Sequence, residues 1–152
     1  MSIGMPFDCG WLRKVQFEKI LNNGDRAALR HAAKPDDMEL LPALYRLFPG
    51  LGTGEPHYRI AYLLPYARHS ANAKSLGAQL AARNISEARV LQVARSNSPT
   101  DIEYLRRLLK QLDTALDWNL LCWMLWNWND TTKRQLVKDY YLAKFSPAKG
   151  AE

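Results

Sequence analysis

The sequence predicts an all-α fold: a compact helical bundle of about eight or nine helices, as one body or as two packed helical subdomains. Three observations predict it. Apolar residues make up 47% of the 152, enough to bury a core. They recur at three- and four-residue spacing, and no segment alternates convincingly with the period of two that a half-buried strand needs. Capping residues, prolines and glycines fall between the apolar stretches at helix-length intervals.

Each element follows in order. WLRKVQFEKIL places Trp11, Val15 and the pair Ile20/Leu21 near helical spacing, and NNGD breaks it. DRAALRHAA reads as a short helix with Asp25 as its N-cap, stopped before Pro35. DDMELLPALYRLF reads as the next helix, with acids in the first turn where the helix dipole favours them. Pro42 then lies about one turn in, where it costs least. PGLGTGEP, residues 49–56, is the best boundary. HYRIAYLLPYARHSA kinks or ends near Pro65. SLGAQLAARN and SEARVLQVARSN give two short helices.

SPTDIEYLRRLLKQLDTAL is the clearest element. Ser98 caps it, Pro99 opens it and Asp101 takes the capping-box position. Ile102, Leu105, Leu108, Leu109, Leu112 and Leu116 form one apolar stripe. DWNLLCWMLWNW, capped by Asp117, is apolar around nearly its whole circumference, so it should be buried on all sides. Trp123 and Trp126 lie off its main apolar side and are candidates for a subunit interface. DTTKRQLVKDYYLAKF is the last helix. The organisation read from this is an N-terminal helical part, 1–50; a loop and connecting helix, 51–74; a C-terminal helical bundle with a basic face, 75–145; and a disordered tail, 146–152.

Charge is the first functional clue. Residues 59–110 hold nine Lys/Arg against three Asp/Glu, and the remainder holds twelve of each. The whole net charge of +6 therefore sits in one central segment, the usual footprint of a polyanion partner. Arg106, Arg107 and Lys110 fan out opposite the leucine stripe, where Glu103 cannot neutralise all three. Reversing the two arginines is expected to leave the fold intact, because both lie outside the stripe.

LAARNISEARVLQVAR, residues 80–95, has the outline of a helix-turn-helix. Asn84 makes the turn, Ile85 plugs the core and Ser86 caps the second helix. Val90, Leu91 and Ala94 face inward, leaving Arg89 and Gln92 outward and Arg95 to one side. Arg and Gln can read bases in the major groove, so a DNA-binding regulator is one reading. A helical protein–protein adaptor is another.

Other classes find little support. His31, His57 and His69 share no metal-ligand spacing, and GLGTGEP lacks the lysine of a phosphate loop. No enzyme, metal or cofactor is expected. Cys9 and Cys122, 113 positions apart, are expected to form neither a metal pair nor a disulfide framework, which suits a reduced, cytoplasmic setting. No secretion signal opens the chain, and WNLLCWMLWNW is too short for the ~20 residues of a membrane span.

One resemblance covers most of the chain. SLGAQLAARNISEARVLQVARSNSPTDIEYLRRLLKQLDTALDW, followed by a tryptophan-rich helix, is similar to the small-subunit (CasB) family of the type I-E CRISPR Cascade complex. LRHAAKPDDMELLPALYRL resembles the N-terminal pattern of the same family; residues 48–74 match it poorly. The resemblance implies an all-α, non-catalytic subunit present in two copies. It would brace the backbone and large subunits of a guide-RNA ribonucleoprotein and help hold opened target DNA and its displaced strand. Carried over by position, the matching basic residues are Arg30, Arg46, Arg89, Arg95, Arg106 and Arg107. Lys110 joins them from the basic face. Arg30 and Arg46 could instead pair with Asp36, Asp37 or Glu39. Lys133 and Arg134 come slightly later than the basic residues that family members can carry after the tryptophan helix. On this reading the arginines hold phosphates and base pairing with the guide reads sequence.

Overall fold

The computed structural model of the chain describes residues 5–146. Asp8 accepts the Trp11 N–H at 2.9 Å and opens α1 (Cys9–Trp11), which runs unbroken into a π-helical stretch, Leu12–Ile20. That stretch turns Arg13 inward, where its Nε donates to the carbonyls of Leu64 and Ala67 at 3.0 and 2.7 Å. In α2 (Asn23–His31) the cap is Asn22, one turn before the expected Asp25. Asn22 accepts the Asp25 N–H at 2.8 Å, and the Asp25 carboxylate returns the bond as the third-position partner.

The single helix expected over 36–48 is two. A 3₁₀ turn, Pro35–Leu40, ends at Leu41, and α3 (Pro42–Leu47) restarts with Pro42 at its first position. A residue before proline avoids the helical region, and Leu41 is extended at φ −102°, ψ 125°. After the glycine-rich loop, α4 (Glu55–Leu63) passes into a 3₁₀ turn, Leu64–Tyr66, at Pro65.

The C-terminal half comprises α5 (Leu76–Ala82), α6 (Glu87–Arg95), α7 (Thr100–Leu112), α8 (Trp118–Trp126) and α9 (Asp130–Lys144). Two short strands tie the halves together. β1 (Arg68–His69) and β2 (Ala115–Leu116) run parallel, with Arg68 opposite Ala115 and His69 opposite Leu116. Two residues are too few to leave a periodic signature. α5 lies hard against α9: a Cβ on Gly77 would stand 2.6 Å from the Leu136 carbonyl oxygen, so only glycine permits the approach. One apolar cluster runs through both halves, from Phe17, Leu29 and Leu44 to Leu105, Trp118 and Tyr140. The chain is thus all-α apart from that strand pair, as the periodicity predicts.

Two expectations are overturned here. Cys9 and Cys122 form a disulfide, with Cα atoms 6.3 Å apart, because α1 crosses α8; sequence separation says nothing of such a crossing. And α8 is not buried all round: Leu120 is 58% exposed and Trp123 36%, while Trp118 and Leu121 face the core. The tail assigned to 146–152 lies outside the described residues from 147 onward.

Candidate nucleic-acid interface

The stripe on α7 folds as its spacing requires. Ile102, Leu105, Leu108, Leu109 and Leu112 are all buried, which leaves Arg107 and Lys110 exposed on the far side. Tyrosines back both cations. Arg107 lies 5.5 Å from the Tyr104 ring and Lys110 5.9 Å from the Tyr66 ring. Tyr66 in turn donates its hydroxyl to the Arg30 carbonyl at 3.0 Å, which sets the end of α2 beside this face; the exposed Arg30 guanidinium itself lies 5.9 Å from the Phe17 ring. Neither Arg30, Arg107 nor Lys110 has an ion-pair partner among the described residues. Unpaired cations beside aromatic rings suit the phosphates and bases of a single strand.

Arg106 behaves differently, despite its place on the polar side of the helix. It is half-buried, stacks 4.1 Å over the Tyr62 ring and donates to the Ala32 carbonyl at 2.6 Å. Tyr62 donates to the neighbouring Ala33 carbonyl at 2.9 Å. The pair therefore clips the exit of α2 onto α4 and α7. Burial pushes the Tyr62 hydroxyl up to about 12, so it stays a neutral donor. The expectation that Arg106 can be reversed without cost to the fold is corrected: the side chain bends back from the polar face toward the Ala32 carbonyl at the exit of α2.

The remaining basic candidates divide in the same way. Arg46 pairs with the buried Asp25 at 2.5 Å, not with Asp36, Asp37 or Glu39. Lys133 is almost wholly buried; its Nζ sits 2.6 Å from Asp101 and 2.8 Å from the Ser96 carbonyl. Asp101 also accepts from the Trp128 indole at 2.9 Å. Asp101 is thus no capping-box residue, and Lys133 is not available to a polyanion. Arg134, one residue on, is exposed.

The helix-turn-helix outline is real in its backbone. Asn84 takes the left-handed conformation at φ 58°, Ile85 is buried and Ser86 caps α6. Val93, rather than Ala94, completes the buried side with Val90. But Arg89 is hydrogen-bonded to the Gln111 side chain on α7, so the supposed reading face of α6 is partly turned to its neighbour. Arg95 is exposed and lies in a groove with Arg134.

The tryptophans separate too. Trp126 packs edge-on against Phe7 at 5.8 Å and His57 at 4.9 Å, facing the N-terminal half as an internal contact. Trp123 lines an apolar cleft with Leu120 and Met124. Among the described residues, no group of three or more His, Cys, Asp or Glu could hold a metal, and no helix is long and apolar enough to cross a membrane. Sequence reasoning missed the tyrosines behind the cations. Tyr104 adjoins them in sequence, but Tyr66 reaches the face only through the turn after α4.

The chain is similar to known proteins along most of its length. A family model described as CRISPR-associated protein Cse2 matches residues 25–141. The Escherichia coli (strain K12) protein named CRISPR system Cascade subunit CasB is 33% identical, over 80% of this chain and 86% of its own length. Among solved structures, a chain in the crystal structure of E. coli Cascade bound to a PAM-containing dsDNA target superposes with a TM-score of 0.84. It is 30% identical, over 94% of this chain and 100% of that one. The resemblance first visible in the helix-turn-helix region and the tryptophan helix extends through the fold, and the chain belongs to the CRISPR-associated Cse2 family.

Proposed function

We propose that the protein is a non-catalytic small subunit of a type I-E CRISPR Cascade ribonucleoprotein. Two copies brace its backbone and large subunits and hold opened target DNA, including the displaced strand. The observation that carries this reading is the likeness, over nearly the whole chain, to a chain of a dsDNA-bound Cascade. The α7 face supplies a physical means: Arg30, Arg107 and Lys110 meet phosphates, and Tyr66 and Tyr104 offer flat surfaces beside them. Such contacts position a strand without reading it. Arg106 holds the face together from behind.

The test is target-DNA binding by reconstituted complex across a salt series, with Arg107→Glu and Lys110→Glu combined. Both positions are exposed, so the fold should survive. Affinity should drop roughly tenfold or more and the salt slope should flatten, because phosphate contacts are lost. Guide-RNA content should not change. Equal affinity and equal slope for variant and parent would remove the face from the mechanism.

A further inference from the structure

A second basic surface lies away from the α7 tyrosines, and its chemistry differs. α6 and α9 enclose an open groove of about 540 Å³. Arg95, Arg134 and Lys138 line it, against one acid, Asp130. None of these three cations forms an ion pair among the described residues. Between them the lining is aliphatic: Leu91, Ala94 and Val137. Past Lys138 the lining passes onto an apolar shelf of Tyr141, Leu142 and Phe145, on which Leu142 is 73% and Phe145 70% exposed.

The spacing along α9 is regular. Arg134 and Lys138 form one row, four residues apart. Val137, Tyr141 and Phe145 form the next, at the same interval. From Asp130 to Phe145 the surface runs about 22 Å, the length of a fifteen-residue helix. Single-stranded nucleic acid fits this surface poorly. The groove offers no aromatic face for a base. On the shelf, Tyr141 and Phe145 are stacked on each other at 14°, and the Tyr141 hydroxyl is held by Glu87.

We infer that the α6–α9 groove docks an acidic amphipathic helix of a partner protein, with carboxylates meeting Arg95, Arg134 and Lys138 and apolar side chains seated on Leu91, Val137 and Phe145. An apolar stripe bounded mainly by positive charge, three cations against Asp130, is the pattern of helix-in-groove recognition. The basic residues of the chain thus serve two partners of different chemistry. The α7 face takes a nucleic acid strand, and the α6–α9 groove takes protein.

The test uses the isolated full-length chain and three labelled probes read by fluorescence anisotropy. The first is a sixteen-residue helical peptide of Glu and Leu with Leu at helical spacing, the second its Lys-for-Glu counterpart, and the third a fifteen-residue oligothymidylate. The Glu peptide should bind and the Lys peptide should not. Combined Arg134→Glu and Lys138→Glu should weaken the Glu peptide roughly tenfold or more while leaving the oligothymidylate nearly unchanged. Combined Leu142→Ser and Phe145→Ser should also weaken the peptide, and both pairs are exposed enough to leave the helical circular dichroism intact. A carbodiimide should activate a peptide carboxylate for attack by the unprotonated Lys138 amine, giving an amide while the carboxylate oxygen leaves in the urea. Failure of the Glu peptide to bind, equal binding of both peptides, or a loss confined to the oligothymidylate would overturn the inference. Loss of oligothymidylate binding with Arg107→Glu and Lys110→Glu instead reports on the α7 face, so the two readings fail separately.

Discussion

Arg106→Ala should unfold the protein more readily, although the residue lies opposite the leucine stripe. The substitution removes a charged donor to the Ala32 carbonyl, worth about 1.5–3 kcal/mol. It also removes a partly desolvated cation over the Tyr62 ring, worth about 0.5–2 kcal/mol. Together the loss is about 2–4 kcal/mol, allowing for the partial exposure of the side chain. For a chain of this size each kcal/mol shifts Tm by about 2–4 °C, so a fall of roughly 5–15 °C is expected. Arg107→Ala, one residue on, should stay within about 0.5 kcal/mol of the parent, as exposed positions usually do. Urea titration with a circular dichroism readout measures both, and Arg106→Lys adds a check, since a lysine cannot reproduce the planar stack. The reasoning is refuted if Arg106→Ala and Arg107→Ala unfold at the same midpoint.

Two further outcomes follow from buried groups. Lys133→Met leaves the Asp101 carboxylate buried without its cation and should destabilise by about 3–5 kcal/mol. Adding Asp101→Asn should restore part of the loss, since the amide oxygen still accepts from Trp128; denaturation of the single and double variants decides, and no recovery counts against the ion pair. His57 is packed among Phe7, Phe48 and Trp126, and burial lowers its pKa below the ordinary value of 6.5. Its neutral Nδ1 accepts the Gly54 N–H at 3.1 Å. The unfolded chain therefore takes up the proton first as pH falls, so this contribution is whole above about pH 6.5 and is lost as pH falls toward the folded-state value. Stability measured at pH 8, 7, 6 and 5 should decline more steeply in the parent than in His57→Gln; parallel curves would exclude the histidine as the cause.

Legibility in the sequence was governed by range. Several local signals held: the α7 stripe, the Asn84 turn, the Ser86 cap and the stop at Pro65 each depend on neighbours within a turn or two, whereas the cap expected from Ser98 and Asp101 did not form and α7 starts at Thr100 without a side-chain cap. Boundaries failed where two local rules competed. Asn22 and Asp25 can both cap α2, and the first wins because Asp25 can then serve as the third-position partner. Pro42 is tolerated early in a helix, but its effect on Leu41 splits the element instead. The site was only half legible. A helical wheel sorts Arg106, Arg107 and Lys110 together, yet it cannot see that the exit of α2 delivers the Ala32 carbonyl to within reach of Arg106 alone. Lys133 was hidden for the same reason, its partner lying on another helix. The Cys9–Cys122 bond depends on the crossing of α1 and α8, which no spacing encodes.

The close approach of α5 and α9 at Gly77 also sets a timetable for synthesis. The N-terminal helices and α4 are complete early and can bury Phe17, Leu29 and Leu44 against one another. α5 cannot finish: the wall that meets Gly77 is built from Leu136 and Tyr140, made more than fifty residues later. At ribosomal speeds of 5–20 residues per second that wait is about 3–11 s. During it the faces of α5 and α6 that α9 will cover stay open to water and to other nascent chains. The last helix is therefore the one whose arrival closes the fold, and a ribosome stalled within α9 would leave an adhesive intermediate rather than a slightly shortened protein.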